Sequence, residues 1–112
     1  MVKAFSHNSL RFDSDIVDIP SAGTAVQLSN TTKLVLWIKF TAPAANSGLT
    51  YVGLSDVSAT GTLKGYPLTA AGGIDATLEL NFEAAGGNVL MSTFYVDAAT
   101  NGDDVAYAVI YQ

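Results

Sequence analysis

Lys33-Leu34-Val35-Leu36-Trp37-Ile38-Lys39-Phe40-Thr41, then a Pro/Ala/Asn/Ser/Gly loop, then Leu49-Thr50-Tyr51-Val52-Gly53, is the stretch that decides how this chain is read. Leu34, Leu36, Ile38 and Phe40 alternate, so an extended backbone sends all four to one face. Lys33, Lys39 and Thr41 fall on the other face, with Val35 and Trp37 between them. The pattern predicts a strand with one dry face and one mixed face. Residues 42–48 read as a loop, and Leu49–Gly53 reads as the returning strand of a hairpin.

Upstream of that stretch the pattern is weaker. Val2–Phe5 reads as a short strand. Residues 7–14 keep no clean period and mix Leu10 and Phe12 with Arg11 and Asp13. Residues 1–14 are therefore read as an N-terminal arm and 15–112 as a single domain. Ile16, Val17 and Ile19 form a short strand stopped by Pro20. Ser21-Ala22-Gly23 turns the chain, and Thr24–Leu28 is the next strand.

Downstream, Tyr66-Pro67-Leu68 reads as a short edge strand, because proline cannot donate to a ladder. Over 76–82, Leu78, Leu80 and Phe82 point in while Glu79 and Asn81 point out. Val89–Asp97 reads as one strand. In the last, Asp104–Tyr111, the residues Val105, Tyr107, Val109 and Tyr111 share one side, and Ala106, Ala108 and Ile110 share the other. Both sides are apolar, which predicts burial by the core on one side and by a neighbouring element or subunit on the other. No window holds a helical period beyond two turns, and glycine interrupts every candidate. About eight short strands at regular spacing predict an all-β, antiparallel β-sandwich or barrel.

Composition narrows the function classes. Of the 112 residues, 49% are hydrophobic and only 13% charged, so the surface leans on Thr, Ser, Asn and Gly. A net charge of −5 disfavours nucleic acid as a partner, since its phosphates would be repelled. The chain has no cysteine and therefore no disulfide. No apolar run is long enough to cross a bilayer as a helix, and Lys3, His7, Arg11 and Asp13 interrupt any signal-like stretch. The expectation is a protein made in the cytoplasm of its producing cell, with no membrane partner.

The chemistry-bearing residues are sparse. His7, the one histidine, has only Ser6 and Ser9 near it in sequence, too little for a nucleophile held beside a base. Asp97, Asn101, Asp103 and Asp104 present four oxygen-bearing side chains, yet their spacing does not match a calcium loop, and Asn101-Gly102 is what a turn prefers. Glu79 and Glu83 do not make a glycosidase pair from spacing alone. The Gly-Gly pairs at 72–73 and 86–87 lack the Lys-Ser/Thr and the helix of a phosphate loop. The expectation is no catalytic residue, no cofactor and no metal. Trp37, on the mixed face, and one or two of Tyr51, Tyr66, Tyr95, Tyr107 and Tyr111 are left as surface anchors; cross-strand packing accounts for the rest.

Several phrases occur in a suggestive order. Gly23-Thr24-Ala25-Val26-Gln27-Leu28 precedes the central strand. Asn46-Ser47-Gly48, Tyr51-Val52-Gly53, Val57-Ser58-Ala59 and Gly65-Tyr66-Pro67-Leu68 follow it. Tyr95-Val96-Asp97-Ala98, Gly102-Asp103 and Val105 close the series. The order resembles that of small β-sandwich or jelly-roll structural proteins of tailed-phage particles: capsid decoration (cement) proteins and head or tail accessory domains. The resemblance implies a jelly-roll sandwich and a homotrimer bound to the major capsid protein on the outer surface of the virion. It further implies a capsid or subunit interface, for which the candidates are Phe5, Leu10, Arg11 and Phe12 of the arm together with Trp37, Tyr107 and Tyr111. The competing expectation is the head domain of a tail fibre or spike, with Trp37 and tyrosines stacking on a cell-surface glycan.

Overall fold

A computed structural model describes residues 10–70, 76–85 and 89–112. The strands are β1 (Arg11–Asp18), β2 (Val26–Gln27), β3 (Leu34–Thr41), β4 (Thr50–Gly53), β5 (Tyr66–Leu68), β6 (Thr77–Asn81), β7 (Val89–Leu90), β8 (Tyr95–Ala98) and β9 (Asp104–Tyr111). Their pairings nest. β4 pairs with β5, β3 with β6, β2 with β8 and β1 with β9, each antiparallel. The chain is thus one long folded hairpin, and the segment between β4 and β5 is its tip. Winding that hairpin lays β9 on β3 and β8 on β4. The result is two sheets, in the orders β1-β9-β3-β6 and β2-β8-β4-β5, with β7 extending the first along β3. This is an antiparallel sandwich of jelly-roll type, as expected.

The dry faces meet between the sheets. Ile38 and Phe40 of β3, Val105 and Val109 of β9, Val52 of β4, Leu68 of β5 and Val96 of β8 make one core, joined by Ile19 and Met91. Phe94 stands nearly edge-on to Phe40 with ring centroids 5.5 Å apart, a favoured aromatic geometry.

β3 departs from strict alternation. Val35 lies opposite Tyr111 and Trp37 opposite Ile110, so one extra residue is accommodated in between. This bulge resets the parity of the strand. Val35 therefore joins Ile38 and Phe40 in the core, Leu36 is buried as well, and Leu34 is only half-buried.

Three expectations are corrected. First, residues 49–53 do not return beside β3. Residues 42–49 cross to the opposite sheet, where β4 pairs with β8 and β5. A loop rich in Pro and Gly shows where the chain turns, not which sheet it enters. Second, the arm does not extend to residue 14. Arg11 to Asp18 pair without interruption against Tyr111 to Asp104. Hydropathy hid this because β1 is an edge strand, with Asp13 and Asp15 on its core-side face and Phe12 and Ile16 on the other. Third, the strand read over 89–97 is broken by a 3-10 turn at Met91–Thr93, which carries the chain from β7 in one sheet to β8 in the other. The strand read at Val2–Phe5, and Phe5 itself, lie outside the described residues, as do the Gly-Gly pairs.

Candidate functional site

The outward face of the five-stranded sheet follows from the register. Side chains directly opposite in a ladder share a face. Three rows result: Phe12, Ile110, Trp37 and Asn81; Ser14, Ala108, Lys39 and Glu79; Ile16, Ala106, Thr41 and Thr77. Phe12 is 66% exposed and Ile16 61%. Trp37 and Ile110 are half-buried by their neighbours in the sheet. The indole Nε1 of Trp37 donates to Glu79 Oε2 at 2.9 Å, which fixes the ring diagonally across β3 and β6. Lys39 stands directly opposite Glu79. The small side chain of Ala106 leaves a shallow hollow of about 410 Å³, lined by Ser14, Asp15, Ile16, Ala106 and Tyr107. The face thus combines large apolar groups that stand proud, a low spot beside them, and one balanced pair of charges.

The candidate residues divide between the two sides of this sheet. Phe12 and Trp37 share a row, with Ile110 between them. Leu10 is half-buried just ahead of β1, and Arg11 is exposed at its start. Tyr107 points the other way, into the core, and is 8% exposed. Tyr111 packs at the core margin, where the Lys33 ammonium lies 4.4 Å from its ring centroid. Lys33 also pairs with Asp13 at 3.7 Å. Burial, reinforced by Asp13 and Asp15, pushes the Tyr107 phenol above its usual range. Of the interface candidates on this sheet, Phe12 and Trp37 therefore face outward, and Ile16 and Ile110, which the sequence reading had not singled out, share that face with them. The available signal was the two-sided apolar pattern of β9.

The outward face of the other sheet is covered by the chain itself. The hairpin tip folds back so that Val57 and Ala59 pack on Tyr51 and Tyr95, with Ala25 alongside. Gly65 makes the return possible: its φ is +120°, and a Cβ there would meet the Val52 carbonyl oxygen at 2.8 Å. Beneath the tip lies Asp97, fully buried. Its carboxylate accepts from the main-chain N–H of Gly23 (3.0 Å), Ala59 (2.8 Å) and Ala98 (2.8 Å).

The other acidic and amide groups near the last turn act in the same way. Asp103 accepts from the N–H of Ser47 and of Gly48, both at 2.9 Å, and so ties down the crossover into β4. Asn101 accepts from Ala22 N–H at 2.7 Å. The Asn46 amide both donates to and accepts from the main chain of Asp104. Of the four residues weighed as calcium ligands in the sequence, Asp97, Asn101 and Asp103 commit side-chain oxygens to backbone amides instead. Asp104 is opposite Asp18 in the ladder, and burial together with that neighbour pushes its carboxyl above the usual range.

No family model matches this chain, and no curated protein matches it in sequence. A second depression, of about 370 Å³, lies at the β4–β5 edge between Leu49, Tyr51, Tyr66, Pro67 and Thr69, with Tyr66 48% exposed.

Proposed function

We propose that this protein is a non-enzymatic building block of a tailed-phage particle: a capsid decoration protein that binds the major capsid protein on the outside of the shell, as a homotrimer, and stabilises it. The observation that carries the reading is the apolar outward face formed by Phe12, Ile16, Trp37 and Ile110, on which Phe12 and Ile16 are exposed. Patches of this kind mark protein contacts more often than catalysis. Jelly rolls serve both as capsid domains and as lectins, so the fold alone does not choose. What favours the shell reading is that the exposed groups are apolar and supported by strands, with the neighbouring Glu79 carboxylate engaged by the Trp37 indole.

The test is reconstitution. Purified protein added to undecorated shells is expected to saturate at hundreds of copies per particle and to raise the temperature at which shells disrupt. Absence of binding, or saturation at a handful of copies, overturns the proposal. A second reading, a glycan-binding head of a tail fibre or spike, is favoured by the depression beside Tyr66, since an exposed ring next to Pro67 and Thr69 offers a stacking surface with one hydroxyl. Binding on a glycan array that disappears in Tyr66→Ala and persists in Trp37→Ala supports it.

A further inference from the structure

We infer that the outward face of the five-stranded sheet is a self-association surface that receives the same face of a second copy, sheet on sheet, about a two-fold axis parallel to the strands. This goes beyond the particle role but claims the same face: the dimer is a state of the free chain, which docking on a shell as a trimer has to open, because a three-fold ring contains no such contact.

The register selects the arrangement. An axis along the strands, running between β9 and β3, lays β9 of each copy over β3 of the other and β1 over β6. Ile110 of each copy then covers Trp37 of the other, beside the axis at one end of the face. Phe12 meets Asn81, Lys39 meets Ala108, and Glu79 meets Ser14. No charge faces its like. The other two-fold, across the strands through the middle row, stacks Lys39 on Lys39 and Glu79 on Glu79. Like charges pressed together in a closed interface are strongly disfavoured, so the first axis is chosen. Strands kept within about 30° of one another and sheets about 10 Å apart are the ordinary geometry of stacked sheets.

Edge pairing is the rival mode, and charge counts against it. Among the described residues β1, eight residues long, is an outermost strand of its sheet. Its two longest antiparallel self-registers, centred on Ser14 or on Asp15, set Asp13 against Asp15 or Asp15 against itself. Inward-pointing charges on an edge strand prevent such pairing.

Size sets the expected strength. Four strands about 4.8 Å apart and about seven residues at about 3.3 Å each outline a footprint of about 450 Å² per copy, about 900 Å² in total, below the roughly 1,000 Å² of a stable specific interface and so in the range of weak contacts. A weak dimer, populated toward submillimolar concentration, is therefore expected, with Trp37 and the aliphatic groups around it as its anchors.

The experiment is sedimentation of the full chain from micromolar to submillimolar concentration, with three single variants. The native chain is expected to reach a dimer. Ile110→Glu is expected to raise its dissociation constant by at least about tenfold. Phe12→Glu, at a position already 66% exposed and so safe for folding, is expected to weaken it in the same direction. Leu63→Glu, on the hairpin tip and 57% exposed, is expected to leave it unchanged. A chain that stays monomeric throughout, or a dimer indifferent to both Ile110→Glu and Phe12→Glu, overturns the inference. A trimer that survives both substitutions overturns it too, while leaving the capsid proposal standing. Shell binding that fails while the dimer forms has the reverse meaning.

Discussion

The two sheets face the same physical problem on their outer sides and solve it differently. On the four-stranded sheet, Tyr51 and Tyr95 are covered by the chain's own tip, with Val57 and Ala59 seated on them and Asp97 holding three amides underneath. On the five-stranded sheet, Phe12 and Ile16 stand in the open, and no segment among the described residues lies over them. One face is finished within the chain and contributes to its stability. The other is unfinished, and what it gains from burial is available to a partner. The contrast makes a simple demand: substitutions on the first face act on folding, and those on the second act on association.

The largest expected effect tests the first half of that demand. Asp97→Ala strands the buried N–H groups of Ala59 and Ala98 and the part-buried one of Gly23, and is expected to cost about 3 kcal/mol, read as a lower midpoint in urea unfolding. A cost below about 1 kcal/mol would show that the tip stays down without its clamp. Next is Thr50→Val. The Thr50 hydroxyl is fully buried in the core face of β4 and has no hydrogen-bond partner among the described residues. Valine has nearly the same shape and no polar atom to satisfy, so a gain of about 1 kcal/mol is expected in the same assay.

A smaller effect sits at one end of the open sheet. The Asp104 carboxyl is raised above its ordinary value in the folded state by burial and by Asp18 opposite. The folded protein therefore holds the proton to higher pH than the unfolded chain does. Its stability falls as pH rises from the unfolded value through the raised folded one, and acidification through that window restores it. Asp18→Asn removes the opposing charge, so a gain of about 0.5 kcal/mol at neutral pH is expected, together with a flatter stability profile just above the ordinary carboxylate range. An unchanged profile would show that the two carboxyls do not sense each other. The smallest effect is the one most telling for the contrast. Phe12→Ser is expected to change monomer stability by less than about 0.5 kcal/mol while weakening self-association. A large loss of stability would mean that the bare face already serves the fold.

How much of this could be read from the residues follows from which of them carry local signals. The alternation in β3, β6 and β9, the proline in β5 and the glycine turns announced an antiparallel β protein, and the resemblance supplied the jelly-roll winding. The bulge at Val35 was invisible, since a run of apolar residues looks the same with or without an inserted one. The destination of the chain after Thr41 was invisible too, because it is fixed by Asp103, more than fifty residues away, reaching Ser47 and Gly48. β1 was missed in part because an edge strand with acids on one side and Phe12 and Ile16 on the other lacks the usual dry face. Trp37 and Phe12 were both named as interface candidates, but their meeting through Ile110 depends on register, which hydropathy does not encode. Asp97 left one clue, a lone charge within Tyr95-Val96-Asp97-Ala98, a run otherwise suited to burial.

Nesting of the strand pairs also sets an order in time. β4 and β5 are the near neighbours in sequence, whereas β1 must find β9 across almost the whole chain. Closing such distances is slow, and each inner pair shortens the search for the next. Zipping from the tip outward leaves Phe12 and Ile16 as late arrivals, so the exposed apolar surface is assembled last, on a body already folded.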